Sequence, residues 1–333
     1  MRNQLKEISR PHDELALPRY DEIALVLQGG GALGSYQAGV VESLVEARIE
    51  PNWIAGVSIG ALNTAIIAGN APEHRVQALH GLWNAICRPP NWLTHAGAWT
   101  LPYAGLNALA RKWASNCATG RAVAEGRPGF FVPRVPPPLA GFDRLDPARV
   151  SYYATTALKA ILLEYANFDR INDGPIRVSV GAVNVRTGNL VSFDNMEIHL
   201  APEHFMALGA LPPGFPANEI EGEYYWDGGL VSNTPLTEIV AEAEHKASLI
   251  FQVDLWSSRG KTPPISSTLR SAPRTFGTRA ARAQSRICSP AGSSMHGFST
   301  RCSGTCRKAS RRSIRFFAWP KRPRTAARSM SRI

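Results

Sequence analysis

The stretch WIAGVSIGALNTAIIAG, residues 53–69, decides the fold. Trp53 to Val57 is an apolar run of strand length, Ile59 to Ala68 is one of helix length, and between them lies a single sharp turn, Gly56-Val57-Ser58-Ile59-Gly60. A strand that passes into a helix through G-x-S-x-G lifts the serine side chain clear of the backbone, and glycines at its flanks leave room for close approach. The helix also aims its free N–H groups at that serine, where developing negative charge is stabilised. A small serine in a plain tight turn is the bland alternative, and the strand before it and the helix after it weigh against that.

Working outward, IALVLQGGGALGSYQAGV, residues 23–40, places a second glycine turn after a second strand, Glu22 to Gln28. Gly29, Gly31 and Gly34 spell G-x-G-x-x-G, and Val40, Val41, Leu44 and Val45 continue at helical spacing. Strand, glycine turn, helix, strand, tight turn, helix is the grammar of a parallel α/β sheet. Alone, the glycine run reads as a dinucleotide-phosphate cradle. That reading needs an acidic residue at the end of the strand that follows the first helix to hold a ribose, but here that strand, Trp53 to Val57, ends at Ser58, and Glu50 precedes it.

Further along, ATTALKAILLEYANF predicts an amphipathic helix, and RVSVGAVNV, RTG and NLVSFDN predict a hairpin with glycine in its turn. An aromatic strand, EYYW, runs into Asp227-Gly228-Gly229, PLTEIVAEAEHKA predicts a helix with Pro235 in its first turn, and SLIFQVDLW predicts a last buried strand. Residues 88–151 are rich in Pro, Gly, Trp and Ala and read as an excursion over the surface, with one helix at Leu106 to Cys117. Trp92, Trp99, Phe130 and Phe131 in it are candidates for membrane contact, with buried packing the more ordinary fate. As a base for Ser58, His245 has the chain order of a Ser-Asp-His triad but sits in the charged run AEAEHK, and His199 and His204 have no supporting motif.

Taken together, the glycine run Gly29-Gly30-Gly31-Ala32-Leu33-Gly34, the elbow Gly56 to Gly60 and Asp227-Gly228-Gly229 resemble the patatin-like phospholipase family, over about Ile23 to Trp256. The Pro-bearing ALGALPPGFP ahead of the aspartate is similar too, whereas Leu33 stands where many members carry a basic residue. The resemblance implies a three-layer α/β/α fold with a mostly parallel central sheet, and a lipid acyl hydrolase that needs no cofactor or metal. It further implies Ser58 as nucleophile and Asp227 as its base, with the backbone around Gly30, Gly31 and Ala32 as oxyanion hole and a lipid ester as substrate. The alternative is an inactive or truncated patatin-like scaffold that binds lipid or a partner.

Composition divides the chain in three: a segment 1–21 with charges of both signs, a body 22–256, and a tail 257–333. The tail holds 15 Arg, 3 Lys and no acid, so it carries +18 of the net +11 and leaves −7 to residues 1–256. Nucleic-acid or anionic-lipid binding by a basic arm and a solvated disordered extension are two readings of it. The third, out-of-frame translation of GC-rich DNA, best accounts for the abrupt loss of both acids and periodicity, and specific nucleic-acid binding is not expected. Sequencing the gene checks it: another frame past Trp256 should hold periodic, acid-containing sequence, and its absence from both other frames rules the reading out. The tail cysteines Cys288, Cys302 and Cys306 lack metal-ligand spacing, and Cys87 and Cys117 lie apart in the body. Neither an apolar leader nor a run of roughly 20 apolar residues is present, so a cytoplasmic protein is expected, with membrane contact only from the surface.

Overall fold

The computed structural model describes residues 19–87, 107, 119–120, 122–127, 129–135, 146–237, 239–240, 247–256, 296–298 and 313–319. The helix expected at Leu106 to Cys117, Trp92, Trp99 and His245 lie outside the described residues or, at Asn107, touch them at one position. Strands β1 (Glu22–Leu27), β2 (Trp53–Gly56), β5 (Arg177–Asn184) and β9 (Ser248–Asp254) form a parallel core in the order β9-β1-β2-β5. The antiparallel strands β6 (Leu190–Asp194) and β8 (Glu223–Asp227) pair with β5, and β7 (Asn218–Ile220) follows β8 at that edge. A separate ribbon joins β3 (Val132–Pro133) to β4 (Tyr153–Ala154).

Alternation along the strands decides which face each side chain serves. Leu25, Leu27, Ile54, Phe251 and Val253 point into the larger core, beneath α1 (Ser35–Glu46), α2 (Ile59–Ala68), α3 (Arg75–Cys87) and α4 (Thr156–Tyr165). Ala24, Val26, Trp53, Ala55 and Ile250 point to the opposite face, where Leu236, Ile239 and Val240 cover them. Sheet and helices thus make the three layers expected. All ten residues of α2 are buried, as an all-round apolar helix requires, and α2 sits centrally against α1, α3, α4 and β2. Two shorter helices, α5 (Phe168–Asp173) and α6 (Pro202–Leu208), complete the described helices that have assigned bounds. Of the helix expected after Asp227, Thr237, Ile239 and Val240 are helical, and residues 241–246 lie outside the description.

In the tail, β10 (His296–Phe298) and β11 (Ser313–Trp319) depart from the expected lack of regular structure. β11 runs antiparallel along all of β9, from Ser313 opposite Asp254 to Trp319 opposite Ser248, and β10 pairs with β11. The physical reason is the edge: β9 otherwise presents an unpaired row of N–H and C=O groups, and backbone pairing asks little of side-chain pattern. No helix among the described residues is long and apolar enough to cross a membrane.

Candidate active site

Parallel pairing sets Leu27 beside both Gly56 and Val253, so β1, β2 and β9 end side by side. The loops that leave these ends form one surface: the glycine run after β1, the Ser58 turn after β2, and Leu255-Trp256 after β9. Asp227 arrives on β8 from the other direction. Gly56 stands opposite Val180, two residues short of Ala182, and Ala182 stands opposite Asp227. Ser58, two residues beyond Gly56, therefore comes level with Asp227 across β5.

Ser58 has φ 57° and ψ −129°. A non-glycine residue held there costs of the order of 1–3 kcal/mol and persists only where its surroundings impose it. Here Val57 N–H donates to the Leu27 carbonyl at 3.2 Å, and the first turn of α2 follows at once, with Gly60 N–H on the Val57 carbonyl at 2.9 Å. Gly60 packs on the Leu27 carbonyl so closely that a β-carbon would collide with it, and that fixes the angle at which α2 leaves the sheet. The N-terminus of α2 is thereby aimed at Ser58.

Gly31 has φ 57° and starts a 3-10 turn, Gly31–Gly34. No hydrogen bond among the described residues uses the N–H of Gly30, Gly31 or Ala32, and all three residues line the cavity described below. Gly29 touches the Ser58 side chain, whose β-carbon would stand 2.9 Å from a β-carbon at residue 29. Asp227 is 3% exposed, beside the half-buried Tyr224, Tyr225 and Trp226, and its Oδ1 accepts the Gly229 N–H at 2.7 Å. Gly228 abuts the Gly181 carbonyl and, with Gly229, turns the chain out of β8 in a second 3-10 turn.

Ser58, Asp227, Gly29 to Ala32, Gly229 and Asn233 line a single cavity of about 550 Å³. Its other walls are mostly apolar: Ile59, Leu62, Trp83, Ile86, Leu211 and Phe215 among them. Phe130 and Phe131 belong to these walls, half-buried and edge-on to Phe215 at 5.8 and 5.2 Å between centroids. None of the described residues lining the cavity is a histidine. His204 lies on α6, edge-on to Phe193, where burial pushes its imidazole below the usual range. His199 stands near Asn172. No His/Cys/Asp/Glu cluster among the described residues could hold a metal ion.

Several residues at the site escape sequence reading, because they brace the glycine run rather than belong to a motif. Gln28 Oε1 accepts the N–H groups of Leu255 and Trp256 at 2.7 and 3.0 Å, and its Nε2 donates to Thr234 Oγ1 at 3.0 Å. Its carbonyl accepts from Gln37 Nε2 at 2.7 Å. The Gly29 carbonyl accepts from Asn233 Nδ2 at 2.8 Å and Trp256 Nε1 at 3.0 Å, while Gly29 N–H donates to the Asn233 carbonyl. Asn63 on α2 donates to Gln37 Oε1 and to the Gly34 carbonyl, and accepts from Trp83 Nε1. An Asn or Gln next to a glycine motif is the one signal that could have flagged them. Gln28 is fully buried, so Gln28→Leu leaves two backbone N–H groups without their acceptor. The expected loss is about 2–4 kcal/mol of unfolding free energy, read from urea denaturation; a loss under about 0.5 kcal/mol counts against the brace.

A family model, "Patatin-like phospholipase", matches residues 25–240, which include all three glycine motifs. Over 67 residues the chain is 36% identical to the triacylglycerol lipase SDP1L of Arabidopsis thaliana, covering 20% of this chain and 8% of that protein. Over 49 residues it is 51% identical to the lysophospholipase nte1 of Aspergillus terreus, covering 15% of this chain and 3% of that one. The chain thus matches less than a tenth of the length of either relative. Among solved structures, VipD from Legionella pneumophila aligns over 64% of this chain and 47% of its own, with a TM-score of 0.34 and 16% identity. With a family model covering well over half its length, the chain belongs to the patatin-like phospholipase family.

Proposed function

We propose that the protein is a lipid acyl hydrolase that cleaves carboxylic esters by a Ser58-Asp227 dyad through an acyl-enzyme. The observation that carries this reading is the meeting of three features in one apolar cavity: Ser58 at positive φ before α2, the buried Asp227, and the N–H groups of Gly30, Gly31 and Ala32. Ser58 Oγ attacks the ester carbonyl while the Asp227 carboxylate takes its proton, and the N–H groups stabilise the oxyanion. Collapse of the tetrahedral intermediate breaks the bond to the alcohol, which leaves with the proton from Asp227. Water then attacks the acyl-Ser58 ester, Asp227 takes one of its protons, and that proton returns to Ser58 as the carboxylic acid departs. The family, the lipase and lysophospholipase among its relatives and the apolar walls all support a lipid ester as substrate.

A fluorophosphonate probe tests the nucleophile apart from any choice of lipid, because it phosphonylates an activated serine. Folded protein should be labelled at Ser58, found by peptide mass spectrometry, and Ser58→Ala should not be labelled. An unlabelled wild type that is folded by circular dichroism points instead to a patatin-like scaffold without activity.

A further inference from the structure

Asn233 braces the glycine run with only half of its amide. Nδ2 donates to the Gly29 carbonyl at 2.8 Å, and because that carbonyl can only accept, the orientation of the amide is fixed. Oδ1 is the other half. No donor among the described residues reaches it, although Asn233 is only 8% exposed and lines the cavity. A nearly buried acceptor without a donor is costly to keep, which points to a donor that enters the cavity. The neighbouring glycines locate Oδ1. A β-carbon at residue 29 would collide with it and stand 2.9 Å from the Ser58 β-carbon. A β-carbon at residue 229 would stand 2.9 Å from it and 3.0 Å from Asp227 Oδ1. Oδ1 is thus a near neighbour of both Ser58 and the Asp227 carboxylate, separated from each by about the width of one small group. Two hydrogen bonds of about 2.8 Å through a single water span a comparable gap.

We propose that Asn233 Oδ1 holds the water that attacks acyl-Ser58, and thereby selects water over alcohols as the acceptor of the acyl group. The inference rests on the Ser58-Asp227 hydrolase argued above and adds a residue that steers its second half. Water carries two O–H bonds. One points to Asp227, which takes that proton as the water oxygen bonds to the acyl carbon. The other donates to Asn233 Oδ1 and stays on the oxygen throughout. The proton on Asp227 then passes to Ser58 Oγ as the bond from Oγ to the acyl carbon breaks, and Asn233 ends unchanged. An alcohol has a single O–H, which must go to Asp227, so it has none for Asn233 and leaves Oδ1 unpaired against its alkyl group. The leaving alcohol of the first half-reaction likewise has only the proton that Asp227 returns. Oδ1 therefore favours deacylation by water, with no counterpart in acylation or in transfer to an alcohol.

Partition of the acyl-enzyme tests this, because a ratio of products depends neither on the acylation rate nor on the fraction of folded protein. The full chain is given a short-chain p-nitrophenyl ester with methanol at a fixed concentration. Free acid and methyl ester are then quantified by gas chromatography, with the uncatalysed reaction subtracted. In Asn233→Ala the ratio of methyl ester to acid should rise roughly 3- to 10-fold over wild type, the scale of one neutral hydrogen bond. Gln28→Leu loosens the same glycine run but leaves Oδ1 in place, and its ratio should stay within twofold of wild type. A smaller rise in Asn233→Ala overturns the proposal and leaves Asn233 as a brace alone. An equal rise in Gln28→Leu overturns it too, since the selection would then belong to the glycine run. Should Asn233→Ala fail to fold by circular dichroism, wild type still decides: mole for mole it should pass the acyl group to water in preference to methanol, and no such preference overturns the assignment. Wild type that neither releases p-nitrophenol nor takes the fluorophosphonate removes the hydrolase reading, and this inference with it; every other outcome leaves that reading standing.

Discussion

Ser58→Ala is expected to lower kcat for a lipid ester by about 10⁴-fold or more while leaving the unfolding midpoint within a few degrees of wild type. The size follows from the role proposed for the hydroxyl: under that mechanism no acyl-enzyme forms without Oγ, and only the proposed oxyanion N–H groups and binding remain to help water attack. The stability should hold because the turn is imposed by its neighbours. The hydrogen bonds from Val57 to Leu27 and from Gly60 to Val57 are all backbone, and alanine keeps them. A β-carbon at φ 57° is strained in alanine as it is in serine, so the substitution adds no new strain. Steady-state kinetics on a short-chain ester, with a parallel thermal melt, reads both quantities. A residual kcat above about a tenth of wild type assigns the chemistry to another group.

Asp227→Asn is expected to lower kcat by roughly 10³- to 10⁴-fold, with KM changed much less. Asparagine has nearly the same shape and keeps an oxygen able to accept the Gly229 N–H, the 2.7 Å bond that holds the side chain in place. What it lacks is basicity, so proton transfer from Ser58 fails while the cavity and its lining stay the same. Fluorophosphonate labelling should slow in parallel, because it also needs the activated hydroxyl. Normal turnover in this variant rejects the dyad and reopens the question of the base, for which no described cavity residue is a histidine. Loss of folding, seen as an early melt, would instead mark Asp227 as a structural cap of the turn at Gly228–Leu230.

The three motifs were legible in the sequence because each is a local backbone constraint. G-x-S-x-G between an apolar strand and an apolar helix fixes a sharp turn within five residues; the same holds for the glycine run after β1 and for Asp227-Gly228-Gly229 after β8. Short apolar runs also marked β1, β2 and β9, the predicted hairpin contained β5 and β6, and its turn bears Gly188 at φ 72°. The tail shows the limit of such reasoning. Ser313–Trp319 has no legible pattern, yet it pairs along β9, because a sheet edge offers hydrogen bonds to almost any extended backbone.

By itself, then, the sequence determined which residues sit in sharp turns and which segments are strands or helices, since those properties depend on neighbours within one turn or one pleat. Only the tertiary structure decided what those turns face. Register across β5 brings Asp227 level with Ser58, and no periodicity within either strand encodes that pairing. The braces on the glycine run join residues more than 200 positions apart, Gln28 to Leu255 and Asn233 to Gly29, through single side chains with no spacing rule to reveal them. The cavity itself is made by aromatic and aliphatic side chains from α2, α3, Phe130, Phe131, Leu211 and Phe215, which only the fold brings together. Local chemistry is written in adjacent residues, whereas a site is a set of distances, and those are fixed by packing.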